Sequence, residues 1–148
     1  MKVRLFITSI KHIHMKDNYK KLVKYWQETA AHDYDTMKSL VKSKRHDSSL
    51  FFGHIVLEKI LKALVVNETK KHAEHTHDLI RLMKTSKIML NEQEINLLNN
   101  VNDFNVEARY PEQKLEFYKL CTKEYTEKYI EKINKLYKKL CQKLKPKK

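Results

Sequence analysis

Residues 49–66 read SLFFGHIVLEKILKALVV, and this stretch decides the fold. Its apolar residues recur on all sides of a helix rather than along one face, which is typical of a helix at the centre of a bundle. Gly53, the single glycine of the chain, falls on the apolar side of this helix. A position without a side chain lets another helix approach closely. We therefore predict a central helix over residues 49–66 that packs closely against a neighbour at Gly53.

The polar residues of this helix form one narrow stripe, because His54, Glu58 and Lys62 are spaced four positions apart. A stripe of ionisable side chains on a buried helix needs a cleft, a subunit interface or a partner charge, since isolated buried charges are costly. The alternative is an exposed Glu58–Lys62 pair, which would stabilise the helix by only about 0.3 kcal/mol.

Composition indicates one all-α domain. The chain has 148 residues with 41% hydrophobic content, enough for one core, and its one Gly and two Pro leave little material for hairpin turns. The pattern predicts a five-helix, antiparallel up-down bundle with a long C-terminal helix. The first expected helix runs from Asp17 or Asn18, either of which could be its cap, to residue 42, and the second covers residues 49–66. Thr76 or His77 opens the third. Asn91 and Glu94 cap the fourth, which ends near residue 106, and the fifth covers residues 112–144.

The long last helix is expected to bury an aromatic and aliphatic stripe as core rather than to expose it as a base-stacking surface. Cys121 and Cys141 would lie about 30 Å apart on that helix, so they cannot pair and are expected to serve in packing. The predicted stripe consists of Tyr118, Cys121, Tyr125, Tyr129, Ile133, Leu136, Leu140 and Leu144.

The net charge of +13 is concentrated at the two ends of the chain. Residues 1–24 carry seven Lys or Arg and one Asp, residues 131–148 carry eight Lys and one Glu, and residues 25–130 carry sixteen charges of each sign. Basic ends can attract a phosphate backbone or an acidic partner, and they can also simply be solvated. No apolar run approaches the roughly 20 residues of a membrane span. No small-residue cleavage site follows residues 1–14, and we expect a cytoplasmic protein.

Four separated clusters resemble the HEPN family, a nucleotide-binding domain of higher eukaryotes and prokaryotes. They are WQETAAHD at residues 26–33, EKILKAL at 58–64, HTHDL at 75–79 and ARYP at 108–111. The resemblance covers roughly residues 19–144. It implies a single helical domain over residues 15–148 with a basic tail. Residues 1–14 are then an extension, a disordered arm, or sequence upstream of a start at Met15.

The resemblance also implies a set of candidate residues for binding nucleotide or phosphate. In this interpretation the basic side chains hold phosphate and the histidines orient their turn. His75 or His77 could instead bond backbone groups at a helix entry, and a metal site has little support from the spacing. Arg109 could pair with Asp33 or Glu58 and tie its turn to the bundle. The candidates are Glu58, Lys59, Lys62, His75, His77, Asp78 and Arg109.

Ribonucleases of the family use an Arg followed, after four to six residues, by a His, and this spacing is absent here. Arg45, for example, is followed directly by His46 and next by His54, and no His follows Arg109. The resemblance therefore favours a noncatalytic accessory module without cofactor or metal. Such a module would be a homodimer that acts with a separately encoded nucleotidyltransferase, in an arrangement of the toxin–antitoxin kind, and would bind nucleotide or RNA. The alternatives are an endoribonuclease that pairs Arg109 with His75 or His77, and a nonspecific nucleic-acid binder that uses the basic ends.

Overall fold

A computed structural model describes the backbone of residues 2–146 and the side chains of residues 18–146. This part of the chain is helical throughout, without strands, as the all-α prediction required. None of its helices is long and apolar enough to cross a bilayer. The helices are α1 (Lys2–Lys42), α2 (His46–Thr69), α3 (Leu79–Ser86), α4 (Glu92–Glu107), α5 (Pro111–Leu120) and α6 (Lys123–Lys143).

Helix α2 is the centre of the fold, because it packs against each of the other five helices. Leu57 and Leu61 are fully buried and Ile60 is nearly so, and Val66 on the opposite side of the helix is fully buried as well. A helix surrounded in this way has no face for solvent. The predicted central position of this helix is confirmed.

Helices α1 and α2 run antiparallel, as three contacts along their length show. Lys59 pairs with Asp33. One turn further along α2, the Lys62 ammonium lies 5.1 Å from the centre of the Trp26 ring. At the end of α2 the Lys70 ammonium lies 4.3 Å from the centre of the Tyr19 ring. The α2 residues ascend while their α1 partners descend, so the two helices form the predicted antiparallel pair.

Gly53 marks the place where α6 crosses α2. A Cβ atom added there would lie 2.7 Å from Cδ1 of Ile133, which is closer than two carbon atoms pack. Ile133 is itself fully buried. The predicted close approach at the glycine is confirmed, and the neighbour is α6.

The predicted long helix over residues 112–144 was wrong, because the chain breaks there into α5 and α6. Thr122 caps α6 by accepting a hydrogen bond from the Tyr125 amide at 3.2 Å, so a threonine side chain replaces the backbone bonds of a continuous helix. Cys121 therefore lies between the helices and not on the helix of Cys141. Tyr118 is 63% exposed and does not belong to the buried stripe.

The predicted start of α1 was also wrong, whereas the predicted start of α4 is confirmed in full. Helix α1 begins at Lys2 rather than at Asp17 or Asn18. Side chains of residues 1–17 lie outside the described ones, so the interpretation of residues 1–14 as an extension stays a prediction. Helix α4 has the predicted capping box: the Asn91 side chain accepts from the Glu94 amide at 2.8 Å, and the Glu94 carboxylate accepts from the Asn91 amide at 3.0 Å.

Three helix ends place a lysine in the left-handed backbone region. Lys44 has a φ of 61°, Lys70 of 59° and Lys87 of 58°. Lys70 and Lys87 are the residues that end α2 and α3. Glycine adopts this conformation at least cost, but the chain's one glycine lies inside α2 at the crossing with α6.

Candidate functional site

The stripe of His54, Glu58 and Lys62 on α2 is buried and not exposed. The whole residues are 0%, 9% and 8% accessible to solvent, respectively. The interpretation of Glu58 and Lys62 as a weak surface pair was therefore wrong. A charged stripe at this depth requires partners, and the turn before α3 supplies one of them.

Glu58 lies at the middle of this arrangement and accepts two hydrogen bonds. Its Oε1 atom lies 2.8 Å from the Lys62 ammonium, and its Oε2 atom lies 3.0 Å from Nδ1 of His77. Burial by itself raises the pKa of the carboxyl group, but the hydrogen bonds from Lys62 and His77 outweigh burial, so the pKa of Glu58 is lowered. The carboxylate stays ionised at neutral pH. We call His54, Glu58, Lys62 and His77 the Glu58 cluster.

His54 is fully buried and bonds to the backbone of the same turn. Its Nε2 atom lies 2.9 Å from the carbonyl oxygen of His77. Since a carbonyl oxygen only accepts, Nε2 carries the proton and donates it. Burial lowers the pKa of His54, and the positive charge of Arg109 acts in the same direction. His54 is therefore a neutral donor.

His77 attaches its turn to α2 at two points, through its carbonyl oxygen to His54 and through Nδ1 to Glu58. The carboxylate accepts the Nδ1 proton, which leaves Nε2 as the free ring nitrogen. The side chain remains 55% exposed. A buried carboxylate thus orients an imidazole whose other nitrogen is available to a ligand in solvent.

Asp78 is the N-cap of α3. The prediction that Thr76 or His77 opens this helix was wrong. The Asp78 carboxylate accepts hydrogen bonds from the amides of Ile80 at 3.0 Å and Arg81 at 3.4 Å. It also accepts from the side-chain amide of Asn102 at 3.0 Å. The role of Asp78 is to fix the turn that carries His77, and its Oδ1 atom accepts all three of these hydrogen bonds.

Two asparagines of α4, one helical turn apart, hold the turns of the site. Asn102 accepts from the Leu79 amide at 2.9 Å, and Asn105 accepts from Nε of Arg109 at 3.1 Å. Because residues three apart lie on the same face of a helix, the His77 turn and Arg109 are both bonded to one side of α4. Arg109 is exposed and its described partner is a neutral amide. The expected pairing of Arg109 with Asp33 or Glu58 was wrong.

The remaining candidate residues lie apart from this place or serve packing. Lys59 pairs with Asp33 and joins α2 to α1. Lys62 contacts both Glu58 and the ring of Trp26. His75 is exposed and takes part in no hydrogen bond or ion pair among residues 18–146. Across those residues no group of three His, Cys, Asp or Glu side chains could hold a metal ion.

Sequence reasoning missed four residues of the site, namely His54 as a donor, Trp26, Asn102 and Asn105. Position in the polar stripe of α2 was a signal for His54. The spacing of Asn102 and Asn105 shows that they share a face of α4, but no local pattern shows what that face contacts.

The comparisons with known proteins agree with this architecture. The family model of the HEPN domain matches residues 23–144, a segment that contains the Glu58 cluster, both asparagines and Arg109. Comparisons with curated proteins and with solved structures found no match. Because the family model covers most of the chain, this protein belongs to the HEPN domain family.

Proposed function

We propose that the chain is a noncatalytic HEPN module that binds the phosphate of a nucleotide between His77 and Arg109 and acts as a dimer with a separately encoded nucleotidyltransferase. The family match supports a role connected with nucleotides or RNA. The accessory role follows from the likeness to HEPN proteins that occur beside minimal nucleotidyltransferases. One observation carries the choice of site: the buried Glu58 carboxylate holds the exposed His77 ring, and the His77 turn and the exposed Arg109 are both bonded to the same side of α4.

Electrostatics favour an anion at this place. Arg109 is bonded through Nε to an amide oxygen, so its positive charge is not neutralised by that partner. A guanidinium presents paired N–H donors that match two phosphate oxygens. When the His77 ring is protonated, both nitrogens donate, so Nδ1 stays bonded to Glu58 and Nε2 can donate to a phosphate oxygen. The buried charges of Glu58 and Lys62 offset each other, so they do not repel an incoming anion.

Calorimetric titration with adenosine monophosphate and with inorganic phosphate tests the site. We expect Arg109→Ala and His77→Ala each to weaken binding about tenfold or more, the loss of one charge-assisted contact. Arg81→Ala is the matched control, because it removes an exposed arginine of the same region that pairs with Glu74 at 2.6 Å. Unchanged affinity in Arg109→Ala, together with a large fall in Tm, would assign Arg109 a structural role and reject the proposed site.

Co-expression tests the accessory role. A nucleotidyltransferase encoded by a neighbouring gene is expected to co-purify with the chain, and size-exclusion chromatography with light scattering gives the stoichiometry. Recovery of the two proteins separately, under conditions in which both are folded, would reject that part of the proposal.

A second candidate function, a metal-independent endoribonuclease, is favoured by one specific observation. The Glu58 carboxylate fixes the tautomer of His77 and leaves Nε2 free, the arrangement that a general acid or base needs. Arg109 would stabilise the phosphate. In this reading His77→Ala abolishes cleavage of a single-stranded RNA, whereas the neighbouring His75→Ala retains it. Equal cleavage by both variants, or none by the wild-type protein, rejects catalysis.

A further inference from the structure

A groove with a volume of about 570 Å³ lies between the first described turns of α1 and the end of α2. We call it the tyrosine groove, and the residues that matter below are Tyr19, Lys21, Leu22, Tyr25, Lys70 and Lys71. None of these residues belongs to the Glu58 cluster, but Trp26 lies between the two places, because its ring contacts both the Tyr25 ring and the Lys62 ammonium.

Two aromatic rings and an aliphatic side chain form the apolar part of the tyrosine groove. Tyr25 is 54% exposed, a large fraction for an aromatic residue of a packed helix. Its ring meets the Trp26 ring edge to face, with centroids 5.1 Å apart, which restrains its orientation. Tyr19 is half-buried, and Leu22 lies between the two tyrosines in sequence. A planar, apolar group would find ring faces here.

The rim of the tyrosine groove is cationic. Its described lining residues include Lys21, Lys70, Lys71 and His72 and no carboxylate. The Lys70 ammonium is held by the carbonyl oxygen of Asn67 and by the face of Tyr19, so it is positioned without being neutralised. Lys21 and Lys71 are exposed and enter no ion pair among the described side chains.

We propose that the tyrosine groove binds single-stranded nucleic acid, with a base stacked on the exposed ring of Tyr25 and backbone phosphates on the lysines. Stacking on aromatic side chains inside a cationic groove is how proteins bind single strands without sequence preference. A duplex hides its bases and would engage the lysines alone. An acidic peptide would likewise leave the ring faces unused. The combination of an exposed aromatic ring with several lysines therefore favours a single strand.

Fluorescence anisotropy with a labelled 12-mer of uridine tests the proposal. Tyr25→Ala is expected to bind about tenfold more weakly, the loss of one stacked base. Tyr25→Leu keeps an apolar side chain without a planar face and is expected to show a similar loss. Thermal unfolding of each variant identifies any that fail to fold. A Tyr25→Leu protein that folds and binds like wild type overturns the proposal.

The lysines are tested by the salt dependence of the same binding. Lys21→Gln/Lys71→Gln is expected to reduce the slope of log Kd against log salt by about 1.4, because two phosphate contacts are lost. The matched control, Lys138→Gln/Lys145→Gln, removes the same charge from exposed lysines near the C-terminus. An equal reduction in the control would show that overall charge binds the strand. Tighter binding of a duplex of equal length, or binding of anionic lipid vesicles that Tyr25→Leu abolishes, would also overturn the proposal.

Discussion

Nδ1 of His77 lies 3.0 Å from Oε2 of Glu58, although 19 positions separate the two residues in the chain. This contact joins the turn before α3 to the buried centre of α2. It gives one exposed imidazole a fixed orientation and gives one buried carboxylate a second donor. The functional proposal depends on this contact because it orients the ring nitrogen that is proposed to act together with Arg109.

The buried ion pair predicts energetic coupling between Glu58 and Lys62. Glu58→Gln and Lys62→Met are each expected to lower the free energy of unfolding by about 3 kcal/mol, because either change leaves a buried polar group without its partner. The double variant should lose about 1 kcal/mol less than the sum of the two. Urea unfolding at pH 7.5 measures all four states.

Glu131 and Lys135 provide the control for that cycle, since they have the same spacing and lie 3.2 Å apart with both side chains exposed. Their coupling should stay below about 0.5 kcal/mol. If Glu58 and Lys62 couple no more strongly than this surface pair, the buried cluster does not stabilise the fold as described.

Stability should fall as the pH falls from neutrality. The pKa of His54 in the folded chain lies below its ordinary value of 6.5, so below that pH the unfolded chain takes up a proton that the folded chain does not. The stability from His54 is complete above about pH 6.5 and is lost on acidification. Glu58, whose pKa lies below its ordinary value of 4.5, adds a second loss at lower pH.

Urea midpoints at pH 7.5, 6.5 and 5.5 measure this dependence. His54→Gln, which can still donate to the His77 carbonyl oxygen, is expected to flatten the change between pH 6.5 and 5.5. His32→Gln is the control, because the His32 side chain is 82% exposed. A wild-type protein equally stable at pH 7.5 and 5.5 would contradict the neutral, buried state of His54.

The cap of α3 should affect both stability and phosphate binding. Asp78→Ala is expected to lower the free energy of unfolding by about 1.5 kcal/mol and to weaken the binding of adenosine monophosphate, because the cap also fixes the His77 turn. Asn91→Ala removes the cap of α4 and should cost about 1 kcal/mol without changing affinity. Unfolding curves and calorimetric titration separate the two effects. If both variants bind adenosine monophosphate with the same affinity, the Asp78 cap does not influence the proposed binding site.

The crossing of α2 and α6 predicts a compensating pair of substitutions. Gly53→Ala brings a Cβ against Cδ1 of Ile133, and Ile133→Val removes that atom. Ile133→Val alone should cost about 1 kcal/mol. In the Gly53→Ala background it should cost less or become stabilising, since the clash is relieved and alanine favours the helix. If the effects of the two substitutions on thermal unfolding are additive, the Ile133 side chain avoids the clash by changing its rotamer.

The sequence was sufficient for the parts of the fold that depend on local patterns. The apolar run of residues 49–66 predicted the central helix, and Asn91 with Glu94 predicted a helix start. Both features depend only on residues that are close together in the chain. The break between α5 and α6 was not predicted, because apolar residues continue at helical spacing on both sides of it. Thr122, followed two positions later by Glu124, was the available signal.

The candidate site was only partly predictable, because its partners are distant in the chain. Glu58, Lys62 and His77 were singled out and do meet. Arg109 and Asp78 were also singled out, but their partners are Asn105 and Asn102, two neutral side chains without a distinctive pattern. Lys59 proved to be a link to α1. Which face of α4 meets which turn is decided by tertiary packing, which a single sequence does not state.

The left-handed lysines at positions 44, 70 and 87 make the helix corners of this protein open to improvement by design. Exchanging a lysine in that conformation for glycine removes a steric cost of about 1 kcal/mol. Position 87 is the natural place to begin, since it lies outside both proposed binding places. At position 70 the same exchange would have two opposite effects. Glycine would relieve the backbone strain at the end of α2, but it would also remove a positive charge from the tyrosine groove.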